Sequence, residues 1–185
     1  MNLKNIYLIV GPSGSGKTTI ANELEKRYGL KVVESYTTRP PRYDGEKGHI
    51  FVSDEEFDAL GPMCAYTEYD GYRYGVTDKI VDESDIYVID PAGVKWMEEQ
   101  YHGEKDLIVI RLLVDDKQRF FRMYARGDDD EKLNKRLLND VNSFGPDAEK
   151  GITYDLWVTN NDFERCLKCI ASFIENEEET DIIAK

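Results

Sequence analysis

The chain has 185 residues, 41% hydrophobic and 33% charged, enough for one domain with a substantial core and too few for two independent ones. With 24 Lys and Arg against 37 Asp and Glu its formal charge is −13, which argues against nucleic acid as a partner because phosphate backbones require a basic face. No apolar run is long enough to cross a bilayer, the N-terminal segment lacks a leader-like cleavage site, and three cysteines fit a reducing cytoplasm, so no membrane partner is expected.

In chain order, KNIYLIV is a short β-branched run predicted as a buried strand ending at Gly11. TTIANELEKRYG has helical spacing through Ile20, Leu24 and Tyr28, with Gly29 as its stop. LKVVESY reads as a second strand and TTRPPRYDGEKG as a loop. HIFVS reads as a strand, and Ser53 with Glu56 has capping-box spacing for a short helix. CAYTEYDGYRYGV is a predicted hairpin turning at Asp70-Gly71. After it, DIYVID, DLIVIRLLV and YDLWVT are strands that alternate with helices beginning near Pro91, Asp115 or Asp116, Asp128 and Asp162. Such alternation implies an α/β fold with a parallel sheet covered by helices on both faces. The expected division is a core of 1–34 and 79–175, a small mixed insertion at 35–78 and a frayed acidic tail at 176–185. Cys166 and Cys169 form a CxxC, read as two thiols on one helix face because nothing completes a zinc site.

Gly11-Pro12-Ser13-Gly14-Ser15-Gly16-Lys17-Thr18 fits GxxxxGK[ST] in full, after a strand and before a helix. Glycines let backbone N–H groups turn onto phosphate oxygens, and the helix N-terminus adds positive potential. Gly11, Ser13, Gly14, Ser15, Gly16, Lys17, Thr18 and Thr19 are therefore the candidate ATP site. Lys17 is suited to the β- and γ-phosphates and the Thr18 hydroxyl to Mg²⁺. Asp90 ends a parallel strand, where ligand crevices lie; it is a candidate metal ligand, a helix cap before Pro91, or both. In SYTTRPPR, Arg39 and Arg42 stand three apart in a proline-stiffened loop suited to a second phosphate. Arg122 and Arg126 lie four apart on one predicted helix face.

GPSGSGKTT, TTRPPR, FVSDEEF, YRYGVT, IDPAGVK, RMYARG…NKRL and VTNND occur in the order of the landmarks of guanylate kinases, and the chain resembles that family to about residue 175. The resemblance implies a P-loop kinase fold with a parallel core sheet flanked by helices, a mobile acceptor-binding insertion and an arginine-bearing lid at about 122–145. It implies that Ser35, Arg39, Arg42 and Tyr74 hold the acceptor phosphate, that Arg122, Arg126 and Arg136 clamp the transferring phosphoryl group, and that Asn160 lies near the adenine. The resemblance weakens where the family reads guanine: Ala65 stands at the glutamate position, Val76 at the hydroxyl position and His49 at a tyrosine position, in a shortened loop. With a register shift Glu68 or Glu46 is the candidate substitute carboxylate, and His49 is either a substitute phosphate donor or a plain loop histidine.

Three readings follow. The first is an ATP- and Mg²⁺-dependent kinase of a nucleoside monophosphate, GMP or dGMP foremost. The second is a kinase of the same fold for another phosphorylated acceptor, such as a different nucleotide or ribose 1,5-bisphosphate. The third is a non-catalytic phospholigand module, which the full P-loop disfavours.

Overall fold

In a computed structural model the protein is described over residues 3–183, apart from Arg42, Tyr43, Lys47, Asp70 and Asp128. Strand β1 (Asn5–Val10) is buried at every position, as expected of a strand with both faces covered. It pairs in parallel with β6 (Ile86–Ile89) and β7 (Asp106–Leu113), and β7 pairs with β8 (Leu156–Thr159), giving the core order β6-β1-β7-β8. One face is covered by α1 (Lys17–Tyr28) and α8 (Phe163–Ile183), whose Ile20, Leu24, Leu167, Ile170 and Ile174 pack on Tyr7, Ile9 and Ile110. The other face takes α3 (Asp78–Asp82) and α4 (Pro91–Gln100) through Val81, Val94 and Met97.

The insertion is a second sheet of order β3-β2-β5-β4, built from β2 (Ser35–Thr37), β3 (His49–Phe51), β4 (Ala65–Tyr69) and β5 (Tyr72–Val76). β4 and β5 form the expected hairpin; Asp70, half of its predicted turn, lies outside the described residues. Helix α2 (Asp54–Ala59) starts with the complete Ser53–Glu56 capping box. Helices α5 (Asp116–Ala125), capped by Asp115, and α6 (Asp130–Ser143), capped by Asp129, carry the predicted lid, and the short α7 (Pro146–Glu149) follows.

Two expectations change. LKVVESY is not a core strand: only Val32 bridges Ile86, while Asp85 takes the Lys31 backbone N–H on its carboxylate and Glu34 takes that of Gly48. The chain thus leaves the core edge and enters the small sheet at Ser35. The tail does not fray at 176, since α8 runs to Ile183. Glu178 accepts hydrogen bonds from the backbone N–H of Lys4, from Asn5 Nδ2 and from Tyr7 Oη at 3.0–3.1 Å, tying the last helix to the first strand. The CxxC thiols both lie on α8, as expected: Cys166 is buried, which pushes its pKa up to about 11, and Cys169 is exposed.

Candidate active site

β1 delivers the chain into the glycine loop, and α1 starts at Lys17 immediately after it. Two glycines are sterically required there. Gly14 has φ +75°, and a Cβ would lie 2.8 Å from the Arg119 carbonyl oxygen; Gly16 has φ +91°, and a Cβ would lie 2.5 Å from Asn160 Nδ2. Both needs come from the second half of the chain closing on the loop. Lys17 Nζ turns back onto the carbonyl oxygens of Gly11 and Pro12. Burial lowers its pKa to about 8, partly countered by the negative charges of Asp140 and Asp90. The Thr18 and Thr19 side chains are exposed at the start of α1.

Arg122 and Asn160 stand behind the loop. Arg122 donates to the carbonyl oxygen of Asn160 at 2.7 Å and, at 3.4 and 3.5 Å, to those of Gly14 and Ser15. Asn160 Nδ2 donates to the Ser15 carbonyl oxygen at 2.8 Å. Both residues therefore hold the P-loop backbone. Arg126 and Arg136 are exposed on the lid, Arg126 as the C-cap of α5 and Arg136 on α6, whereas Arg122 is half-buried against the P-loop.

A cavity of about 330 Å³ opens in front of the loop, lined by Gly11, Ser13, Lys17, Asp90, Asp140 and Phe144 among others. A second, of about 370 Å³, lies between α4 and the small sheet, lined in part by Ser35, Ala65, Thr67, Tyr74, Asp90 and Trp96. The two share Val88, Ile89 and Asp90 as a common wall at the end of β6. Asp90 Oδ1 accepts from Gly93 N at 2.7 Å, making it the N-cap of α4 as well as the residue common to both cavities.

In the second cavity Ser35 and His49 are register partners, and Ser35 Oγ lies 2.9 Å from His49 Nδ1. His49 packs edge-on against Tyr74, with ring centroids 5.6 Å apart. Arg39 is buried behind this group, stacked over Phe51 and held by Glu46 through two hydrogen bonds of 2.8 and 3.2 Å. The Glu46 carboxylate keeps the Arg39 guanidinium above its ordinary pKa. Ser35, Arg39, His49 and Tyr74 are thus brought together; Arg42 lies outside the described residues.

A family model described as Guanylate kinase matches residues 3–177. The chain belongs to the guanylate kinase family. A guanylate kinase of Alkalilimnicola ehrlichii is 30% identical over 175 residues, covering 88% of this chain and 83% of that protein. One of Haemophilus influenzae is 28% identical over 193 residues, covering 96% and 90%. The crystal structure of guanylate kinase from Anaplasma phagocytophilum shares the fold with a TM-score of 0.61 at 23% identity, covering 96% of this chain and 88% of that one. Guanylate kinases are ATP-dependent nucleoside monophosphate kinases, so this chain is a nucleotide-binding transferase by family.

Within this guanylate kinase fold the base-side expectations diverge. Ala65 and Val76 are cross-strand partners, both buried, and share a face of the hairpin with Thr67 and Tyr74. Glu68 and Arg73 pair on the opposite face, where Glu68 accepts from Tyr66 Oη and Arg73 binds Asp54 and Asp58 over the Phe57 ring. Glu68 therefore does not line the acceptor cavity, and Glu46 is engaged with Arg39 instead of facing a base. Sequence reasoning missed Arg119, Asp140 and Trp96. The first two meet at Ser13 from positions 119 and 140, and no local pattern signals that encounter.

Proposed function

We propose that this chain catalyses transfer of the ATP γ-phosphoryl group to a nucleoside monophosphate, GMP or dGMP foremost, releasing ADP and the nucleoside diphosphate. The observation that carries this reading is the pair of cavities meeting at Asp90, with Lys17 on one side and Ser35 and Tyr74 on the other. A shared wall is what in-line transfer between two bound phosphates requires, because donor and acceptor must approach end to end.

An oxygen of the acceptor monophosphate attacks the γ-phosphorus, forming a P–O bond as the bond to the ADP β-phosphate oxygen breaks. That oxygen is already anionic, so no strong base is needed. The loop amides and Lys17 would hold the β- and γ-phosphates, backed by Arg122 and Asn160. Ser35, Arg39, His49 and Tyr74 would orient the acceptor phosphate, with Arg42 as a further candidate. Arg126 and Arg136, exposed on the lid, are the candidates to reach the equatorial oxygens when the lid closes.

Mg²⁺ fits the donor set: the Thr18 hydroxyl and Asp90 offer oxygen ligands, and no cluster of three His, Cys, Asp or Glu side chains exists among the described residues to favour another metal. Thr18 and Asp90 would hold the ion, which would supply positive charge to offset that of the phosphates.

A second acceptor class is favoured by one observation. The hairpin offers apolar Ala65 and Val76 where a guanine edge would need acceptors, and Glu68 faces away. A panel of GMP, dGMP, AMP, CMP, UMP, IMP and ribose 1,5-bisphosphate, followed by ADP release, decides between the classes. Rapid turnover of GMP or dGMP alone is the expected result; turnover of another acceptor alone would overturn it in favour of the second class, and turnover of none would revive a binding role.

A further inference from the structure

The donor cavity contains an anion supplied by the protein. Both carboxylate oxygens of Asp140 lie 3.0 Å from the backbone N of Ser13, inside the phosphate-binding loop, and Oδ1 accepts from Ser13 Oγ at 3.0 Å as well. Arg119 Nη2 donates to Asp140 Oδ2. Asp140 also lines the cavity shared with Lys17 and Asp90. A carboxylate that accepts from a P-loop amide, a hydroxyl and a guanidinium beside the P-loop lysine satisfies the donors that a phosphate oxygen would use.

Arg119 is held independently of that carboxylate. Its Nε donates to the Ser13 carbonyl oxygen at 3.0 Å, and its Nη1 lies 3.1 Å from Asp116 Oδ1. Its backbone packs on Gly14 so closely that no Cβ fits between them. Loss of Asp140 would leave Nη2 at the Ser13 end of the loop. Helix α6, in contrast, is lightly attached: its buried residues are Leu133 and Asp140, whereas Leu138 and Val141 are more than 70% exposed. An element with so little burial opens at low cost once its polar anchor is displaced.

We propose that Asp140 is an internal competitor for the donor-phosphate subsite, and that Arg119 is a further donor-phosphate ligand that exchanges the Asp140 carboxylate for an incoming phosphate. This rests on the donor cavity being the ATP site. Binding of ATP then expels Asp140, frees α6 from the loop so that the lid can close once the acceptor is bound, and passes the Arg119 guanidinium to the nucleotide. The apparent affinity for ATP is lowered by the fraction of molecules in which Asp140 fills the subsite.

Calorimetric titration of the full chain without acceptor tests the exchange, using ATP, inorganic tripolyphosphate and adenosine as probes. Asp140→Asn is expected to tighten ATP and tripolyphosphate about tenfold, the scale of one charge-assisted hydrogen-bonded contact, and to leave adenosine unchanged. Arg119→Met is expected to weaken the two phosphate probes by a similar factor. In the wild type, tripolyphosphate should accelerate hydrogen exchange of the α6 amides, a readout that does not depend on either variant folding. Unchanged or weaker phosphate binding in Asp140→Asn, equal tightening of adenosine, or α6 amides indifferent to tripolyphosphate would overturn the competitor role. Tighter binding in Arg119→Met would overturn the ligand role. These results leave the ATP-site reading standing; a wild type that binds neither ATP nor tripolyphosphate would overturn both.

Discussion

Replacing Lys17 with methionine should stabilise the fold while abolishing turnover, and the stability gain should depend on pH. Burial lowers the Lys17 pKa from 10.5 to about 8. At about 1.4 kcal/mol per pH unit, holding the charged form in the folded protein costs roughly 3 kcal/mol at pH 7. Methionine removes that cost but loses the hydrogen bonds to the Gly11 and Pro12 carbonyl oxygens, worth about 1 kcal/mol each. The net gain is about 1 kcal/mol at pH 7, or a melting temperature about 3 °C higher for a domain of this size. The sign follows from proton binding. Between pH 8 and 10.5 the unfolded lysine keeps its proton while the folded one has lost it, so wild-type stability rises across that window. The advantage of Lys17→Met should therefore be complete below pH 8, shrink above it and reverse near pH 9. Thermal melts at pH 7, 8.5 and 10, with and without ATP, check this; ATP should stabilise the wild type and not the variant. A variant less stable than wild type at pH 7, by a margin independent of pH, would refute the reasoning.

Asp90→Asn should keep the cap on α4, since asparagine caps well, and melt within about 0.5 kcal/mol of wild type while its activity demands far more Mg²⁺; Asp90→Ala should lose about 1 kcal/mol as well. Arg39→Ala should raise the acceptor KM about a hundredfold and change the ATP KM less than threefold, measured by ADP release, if the guanidinium behind Ser35, His49 and Tyr74 holds the acceptor phosphate as proposed. Gly16→Ala should cost at least about 1–2 kcal/mol and most ATP affinity, because its φ of +91° and the Asn160 amide leave no room for a methyl group. Deleting residues 176–185 should cost about 2–4 kcal/mol in denaturant melts, because Tyr7 Oη, buried in the core, loses the Glu178 carboxylate.

The donor half of the site was legible because its information is contiguous. A strand, a glycine loop and a helix start within one short stretch already specify where backbone amides converge. Asp90 was legible for a similar reason, since a carboxylate before proline at the end of a strand can both cap and face the crevice. The face of Glu68 could have been read too: it stands three residues from Ala65, and period-two alternation sends the two to opposite sides of a strand. What could not be read were pairings across sequence distance. Arg122 looked like a lid arginine because helical spacing gives its face but not its neighbour, and that neighbour is the carbonyl wall of the P-loop. LKVVESY has strand composition, yet side-chain acceptors from Asp85 and Glu34 take the backbone donors of Lys31 and Gly48 at the place where the core edge ends.

The acidic balance of the chain has a consequence at both phosphate sites. Two described arginines close to these cavities are neutralised by a carboxylate: Arg39 by Glu46 behind the second cavity and Arg119 by Asp140 beside the first. A buried guanidinium without a partner would be costly, so the protein stores these cations in paired form. A phosphate that reaches either of these two arginines exchanges one anion for another, which lowers the gain from simple charge attraction. Selection then falls on geometry: a tetrahedral phosphate reaches the P-loop amides and the arginine fork together, whereas a free carboxylate only reproduces what Asp140 and Glu46 already provide. Small carboxylates should accordingly compete poorly with ATP, and an acetate titration that displaced ATP as effectively as inorganic phosphate does would contradict this account.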